Sequence, residues 1–287
     1  MNSEMNVKGE NIMITTKQKQ QAKTFKNMHT TKMIVLPNVW DPGSAYMFEK
    51  EGFKAVATSS AGISYSLGYP DGEDISIDDL VLRVQQITKR IDIPLSVDFE
   101  RGYSEDIQEI KNNARRLLLS GAVGFNIEDD KRDGTLDELS YMIKKIEALQ
   151  ELKKEMDIDF IINARTGAFW LNTGDSEQML ETALERGNAF KNAGADCVFI
   201  PGKISEENVE KLIKGIDCSV NIILNPEFHD FQKLEKIGVS RLSVGSGPAR
   251  SVFSHLKDLT EKMIDGDVEM MLNHPFSYQE ANNYFTK

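Results

Sequence analysis

Short, continuous apolar runs alternate with longer amphipathic stretches along most of the chain. Met33-Ile34-Val35-Leu36-Pro37, Ala55–Ser59, Leu95–Asp98, Gly124–Glu128, Phe160–Arg165, Cys197–Ile200, Asn221–Asn225 and Arg241–Gly245 read as buried strands. Between them the pattern turns helical. Asp41-Pro42 supplies an N-cap and a first-turn proline. Ser76 caps a helix that places Ile77, Leu80, Val84 and Ile87 on one face. Further helices are predicted over Glu105–Ser120, Leu136–Met156, Ser176–Ala193, Glu206–Lys214, Phe231–Ile237 and Pro248–Ile264, several stopped by glycine, as at Gly121, Gly194 and Gly238. Eight strand–helix units predict parallel strands with right-handed crossovers, and at this length an α/β protein of the closed (β/α)8 TIM-barrel type. A doubly wound open sheet is the alternative. It is disfavoured because no G-x-G-x-x-G follows the first strand.

The ends of the chain differ from the middle. Residues 1 to about 14 read as a loose arm, and Thr15–Met28, rich in Lys and Gln, as a solvated capping helix. The division is residues 1–32 as arm and helix, 33–265 as the barrel, and 266–287 as a C-terminal extension of the same domain. That extension carries Met270, Met271, Leu272, Phe276, Tyr278, Tyr284 and Phe285, too much apolar surface for a free tail. Packing on a neighbouring subunit of a homo-oligomer is expected, with a tail folded back on its own barrel as the alternative.

Composition narrows the class. The 287 residues are 40% hydrophobic and 28% charged, as in a soluble globular protein. A net charge of -11 argues against nucleic acid or an anionic membrane as partner, and no apolar run is long enough to span a bilayer. The polar N-terminus and the two cysteines, Cys197 and Cys218, with no C-x-x-C pair, point to a reducing cytoplasm. The four histidines are scattered and give no local zinc spacing.

In a barrel of this type the chemistry sits at the C-terminal ends of the strands. Those ends bear Asn38 and Trp40; Ser59-Ser60-Ala61-Gly62, with Asp71 further on; Asp98 and Glu100; Glu128-Asp129-Asp130; Asn163 and Arg165; Lys203; Asn225; and Gly245-Ser246-Gly247. Asp98 and Glu100, two apart at a strand end, are expected on one face. Such a pair repels unless a cation lies between them or one carboxyl keeps its proton, and Mg²⁺ prefers these oxygen ligands. An acidic turn in solvent is the simpler reading of D-x-E alone. Arg165 suits a carboxylate or phosphate in fork geometry, or else a salt bridge to an acid inside the barrel mouth. Ser60-Ala61-Gly62 could offer backbone N–H groups to an anion or be a plain tight turn.

The stretches Pro37-Asn38-Val39-Trp40-Asp41, Thr58-Ser59-Ser60-Ala61-Gly62, Leu67-Gly68-Tyr69-Pro70-Asp71-Gly72, Val97–Tyr103, Asn126-Ile127-Glu128-Asp129 and Ile162-Asn163-Ala164-Arg165-Thr166, in this order, resemble the isocitrate lyase/phosphoenolpyruvate mutase superfamily. The resemblance implies a (β/α)8 barrel whose last helices are exchanged between subunits, in a tetramer or dimer. It also implies Mg²⁺, or Mn²⁺ in its place, and a small anionic carboxylate substrate of the 2-oxo or 2-hydroxy class. By matched motif, Asp98, Glu100 and Glu128 would hold the metal, directly or through water, and Asp71 would stand in the outer ring. Trp40, Ser60, Ala61, Gly62, Arg165 and Asn225 would contact substrate. Arg165, Glu128 and Asp71 are the candidate catalytic groups.

The loop after the fourth strand departs from the lyases of this superfamily. It reads Glu128-Asp129-Asp130-Lys131-Arg132-Asp133-Gly134-Thr135-Leu136, without cysteine or histidine. Cysteine acid chemistry is therefore not expected, and both cysteines read as structural. The favoured function is a Mg²⁺-dependent lyase or decarboxylase that cleaves a C–C bond through a metal-stabilised enolate. Phosphonopyruvate-type P–C chemistry is the enzymatic alternative, and a barrel that binds an oxo acid without turnover is the alternative of another class.

Overall fold

The computed structural model describes residues 13–273 and 276–286; the expected loose arm lies almost wholly outside them. The described chain runs α1 (Thr16–Met28), β1 (Ile34–Leu36), β2 (Asn38–Val39), α2 (Pro42–Lys50), β3 (Val56–Thr58), α3 (Ser60–Ser66), α4 (Ile77–Thr88), β4 (Leu95–Asp98), α5 (Ile107–Leu119), β5 (Gly124–Glu128) and α6 (Leu139–Met156). It continues β6 (Ile161–Arg165), α7 (Ser176–Ala193), β7 (Cys197–Ile200), α8 (Glu206–Gly215), β8 (Ser219–Ile223), α9 (Phe231–Ile237), β9 (Arg241–Ser243), α10 (Gly247–Ile264), α11 (Glu269–Leu272) and α12 (Tyr278–Phe285).

All strand pairs are parallel, in the order β1-β9-β8-β7-β6-β5-β4-β3-β2. The sheet therefore has nine strands where the sequence predicts eight. The extra one comes from Pro37, which has no N–H and interrupts the first apolar run. Ile34–Leu36 pairs with β9 on one side, whereas Asn38–Val39 pairs with β3 on the other. The two edges of the sheet are thus halves of one segment, joined through Pro37, and the α/β barrel closes there. Pro37 still contributes its carbonyl, which accepts from Ala57 N–H at 2.9 Å.

Two elements depart from expectation. The Ser-Ala-Gly stretch after β3 is the first turn of an additional helix, α3, because Ser59 caps it by accepting from Gly62 N–H at 3.1 Å. Helix α1 is not a solvated cap. Gln18, Ala22 and Phe25, at i, i+4 and i+7, are buried, and α1 closes the N-terminal floor of the barrel. Gln18 Nε2 donates to Leu118 O at 2.7 Å and Ala122 O at 2.9 Å. Phe25 abuts Gly124, where a Cβ would meet its ring at 3.1 Å. Phe125 contacts Phe99 and Phe160 at tilted and edge-on angles, with ring centroids 5.8 and 5.1 Å apart.

The tail packs on its own chain. Tyr46 Oη on α2 donates to Thr286 O at 3.1 Å, Tyr284 Oη donates to Glu51 at 2.7 Å, and the Tyr46 and Phe285 rings lie 5.8 Å apart. Uncovered apolar surface remains in the tail, where Leu272 and Tyr278 are 67% and 85% exposed, and also on α10. Only Ala249 of that helix is buried, while Val252 and Leu256 are 54% and 48% exposed.

Candidate active site

A cavity of about 510 Å³ opens at the C-terminal ends of the strands. Its acidic wall is formed by Asp71, Glu73, Asp98, Glu100, Glu128 and Asp130, with Arg165 among them. Trp170, Leu171, Phe199, Pro201 and Ile223 form an apolar wall. The rim near α10 brings Gly245, Ser246 and Arg250.

Asp98 ends β4. Its N–H donates to Thr58 Oγ1 at 2.8 Å, and its carboxylate accepts from Ser60 N–H at 3.2 Å and Asn126 Nδ2 at 3.4 Å. Glu100 reaches the cavity differently from the expected strand alternation. The strand stops at Asp98, and Glu100 takes the left-handed conformation, φ 49°, in the turn that follows. This strained backbone is held on both sides. Glu128 N–H donates to Glu100 O at 2.9 Å, and Glu73 accepts from the N–H groups of Arg101 at 3.0 Å and Tyr103 at 2.8 Å. Tyr103 Oη donates to Glu100 Oε1 at 2.9 Å.

Burial, and then repulsion from Asp98, Asp71 and Glu73, pushes the Glu100 carboxyl up to about 8. Asp71, at the open edge of the mouth, is also raised, first by the surrounding protein and then by Asp98. Burial raises Glu128 well above the usual carboxylate range, although Arg165 opposes the shift. Arg165, at the end of β6, is held between Glu128 Oε2 at 2.7 Å and Asp130 Oδ2 at 2.6 Å. Its guanidinium lies 5.7 Å from the Trp170 ring and 5.9 Å from that of Phe199, and its Nε has no hydrogen-bond partner.

The expected metal set thus lines one cavity without closing into a cluster. Among the described residues no three His, Cys, Asp or Glu side chains stand together as a ready cation cage. The geometry shows why: Glu128 is turned to Arg165, and Glu100 is held by Tyr103. The donor set nevertheless suits a hard divalent cation, because it is all oxygen, although Arg101, Lys131, Arg132 and Arg250 line the cavity besides Arg165.

Other expected residues fall into place unevenly. Ser60 and Ala61 line the cavity. However, the N–H groups of Ser60 and Gly62 are engaged by Asp98 and Ser59, so the expected three-donor cradle is largely used within the chain. Gly62 is a packing position: a Cβ there would meet Trp40 at 3.0 Å and Ala249 at 3.2 Å. Neither Trp40 nor Gly62 lines the cavity, and neither does Asn225. Asn225 is buried and accepts from Glu227 and Phe228 N–H at 3.0 and 3.1 Å, which folds the turn after β8. Asn38 lines the cavity, and its Oδ1 accepts from Val244 and Gly245 N–H at 3.0 and 2.9 Å. Cys197 and Cys218 lie away from the cavity, their thiols raised by burial, Cys218 to about 11.

Sequence reasoning missed Glu73, Asp130 and the support beneath them. Asp137 is buried between Lys145 Nζ at 3.1 Å and Arg101 at 3.4 Å; Lys145 also donates to Glu128 O at 3.1 Å, and Arg101 to Asp130 O at 3.0 Å. Buried Asp129 takes Arg186 at 2.9 Å and accepts from Gly167 N–H at 2.8 Å. The hairpin after β5, pinned by Lys131 N–H donating to Thr135 O at 2.8 Å, reaches across the mouth: Arg132 contacts Gly72 O and pairs with Asp74 at 3.3 Å. No local pattern marks these long-range pairings. The excess of acids in Glu128-Asp129-Asp130 was the one available signal.

A phosphoenolpyruvate phosphomutase family model matches residues 25–264. The chain is 29% identical to 2,3-dimethylmalate lyase of Eubacterium barkeri over 68% of each protein. A Burkholderia cenocepacia J2315 structure provisionally described as a lyase/mutase superposes with a TM-score of 0.86 at 26% identity, covering 94% of this chain and 97% of that one. A phosphonopyruvate hydrolase in complex with oxalate and Mg²⁺ shares the fold, with a TM-score of 0.81 at 19% identity over 92% and 94% of the two chains. The chain belongs to the isocitrate lyase/phosphoenolpyruvate mutase superfamily. Among the described residues no helix is long and apolar enough to cross a membrane.

Proposed function

We propose that this protein is a divalent-cation-dependent lyase that cleaves a C–C bond in a small 2-oxo or 2-hydroxy mono- or dicarboxylate. The observation that carries this reading is the charge arrangement of the cavity: Asp71, Asp98, Glu100 and Glu128 stand together at the strand ends with Arg165 as the neighbouring cation. A bridging cation would let a small anionic substrate approach this wall, and Lys131, Arg132 and Arg250 also line the cavity. Asp98, Glu100 and Glu128 would hold Mg²⁺, or Mn²⁺ in its place, with Asp71 in the outer ring; a protein of the same fold is complexed with oxalate and Mg²⁺, which is consistent with a divalent cation here. When bound, the ion supplies Lewis acidity to the substrate oxygens.

The chain's own groups divide the remaining work. Arg165 lines the cavity and would pair with a substrate carboxylate or the oxygen that gains charge as the bond breaks. Ser60 and Ala61 shape the adjacent wall. Trp170, Leu171 and Phe199 keep that side of the substrate dry, which strengthens each charged contact. No cysteine takes part.

The family model that matches the chain favours a second reading, P–C bond chemistry on a phosphonopyruvate-type substrate. A turnover screen with oxaloacetate, methylisocitrate, 2,3-dimethylmalate and phosphonopyruvate, with and without Mg²⁺, separates the two. Mg²⁺-dependent release of a carbon fragment or CO₂ supports the lyase. Turnover of phosphonopyruvate alone would replace it with the second reading. Calorimetry adds an independent check: Asp98→Ala is expected to abolish Mg²⁺-dependent oxalate binding, and unchanged binding in that variant would remove Asp98 from the metal site.

A further inference from the structure

Beneath the acid-lined mouth the barrel interior holds a second cation. Arg241, on β9, is fully buried. Its guanidinium lies 6.0 Å from the centre of the Phe25 ring on the barrel floor. One terminal nitrogen donates to Asn126 Oδ1 at 3.4 Å, whereas Nε and the other terminal nitrogen have no partner. A buried cation in this condition is unfavourable unless some negative charge lies within reach.

That charge is Asp98. Asn126 accepts from Arg241 and from Asn163 Nδ2, the latter at 2.6 Å, and turns its own Nδ2 to Asp98 Oδ1 at 3.4 Å. A guanidinium donates and never accepts, so it fixes which end of the Asn126 amide faces downward. The amide nitrogen must then face Asp98. Burial draws Arg241 down to about 10, and Asp98 is among the groups that oppose the shift. The buried Cys197 thiol beside it stays neutral because burial raises its pKa.

We propose that Arg241 is the built-in counter-charge of the acid cluster, a positioning residue that acts on Asp98 through Asn126 and offsets the same negative charge that a bound divalent cation would. This rests on the metal reading above. It makes an unusual demand. Two cations that neutralise one set of carboxylates weaken each other's hold, and the coupling is reciprocal. Removing the charge of Arg241 therefore tightens metal binding, whereas loss of an ordinary supporting residue would weaken it.

The test uses the full-length protein and Mn²⁺ alone, with the dissociation constant read from the electron paramagnetic resonance of free Mn²⁺ at fixed pH and ionic strength. Arg241→Gln and Arg241→Met are expected to bind Mn²⁺ at least about fivefold more tightly than the unaltered protein, and Arg241→Lys, which keeps the charge, within about twofold of it. The metal-free unfolding midpoint should fall in the two neutral variants, and Mn²⁺ should raise it by more than in the unaltered protein. Weaker or unchanged binding in folded Arg241→Gln overturns the proposal. So does failure of both neutral variants to fold even with Mn²⁺ present, since Arg241 would then be a structural cation only. Absence of Mn²⁺ binding by the unaltered protein overturns the metal reading itself. Binding by the unaltered protein with a flat response across the Arg241 series leaves the metal reading standing and removes the role of Arg241.

Discussion

Glu128 and Arg165 are register partners on adjacent strands, and their side chains meet at 2.7 Å in the barrel mouth. Asp130 takes the other side of the same guanidinium at 2.6 Å. The three charges are mostly buried, so none can be removed without leaving another uncompensated. Arg165→Met is expected to lose about 3–5 kcal/mol of stability by urea unfolding and to abolish substrate or oxalate binding. A variant that binds oxalate normally would show that Arg165 serves the fold alone.

Asp137 joins the two loops that carry the acids. It contacts fully buried Lys145, which holds Glu128 O, and Arg101, which follows Glu100. Asp137→Asn keeps the shape and removes the charge. The expected cost is again about 3–5 kcal/mol, because Lys145 is left buried without its anion. Urea midpoints at neutral pH measure it. A loss below about 1 kcal/mol, the size of an exposed ion pair, would show that the network contributes little.

His29 gives the fold a sensitivity to acid. Its Nδ1–H donates to Phe25 O at 2.8 Å, while Nε2 is buried without a partner. Burial, and then Arg241, lowers its pKa from 6.5 to about 4. Between those values the unfolded chain binds a proton that the folded chain does not. Stability present above pH 6.5 is therefore lost as the pH falls toward 4, by about 3 kcal/mol from this residue. Urea unfolding of the unaltered protein and of His29→Gln, at neutral pH and near pH 4, checks the sign: the variant should lose less on acidification. Equal losses would assign the acid sensitivity to other groups.

The open face of α10 predicts assembly. Val252 and Leu256 are exposed at helical spacing, with Met263 and Ile264 further along at 44% and 84% exposure. We expect α10 to be covered by a second copy of the chain, with α12 remaining on its own α2. Light scattering of the unaltered protein should give an oligomer at micromolar concentration, and Leu256→Glu should shift it toward monomer. An unaltered protein that is monomeric at that concentration rejects this assembly outright.

The sequence by itself determined the alternation of strands and helices, the caps at Asp41 and Ser76, and the strand ends that carry Asp98, Glu128 and Arg165. These follow from local periodicity and local hydrogen bonds, which neighbouring residues settle among themselves. The tertiary structure alone decided what those residues meet. It split the first strand because Pro37 faces two partners across the closure of the barrel, and it turned Asn225 inward to its own loop. It also set Arg241 beneath Asp98, although 143 positions of chain separate them. Charge pairs of this kind depend on distance through space and on burial. Neither is written in the spacing of residues along the chain, so Asp98, Glu128 and Arg165 could be read from the sequence while the buried counter-charges Lys145, Arg186 and Arg241 could not.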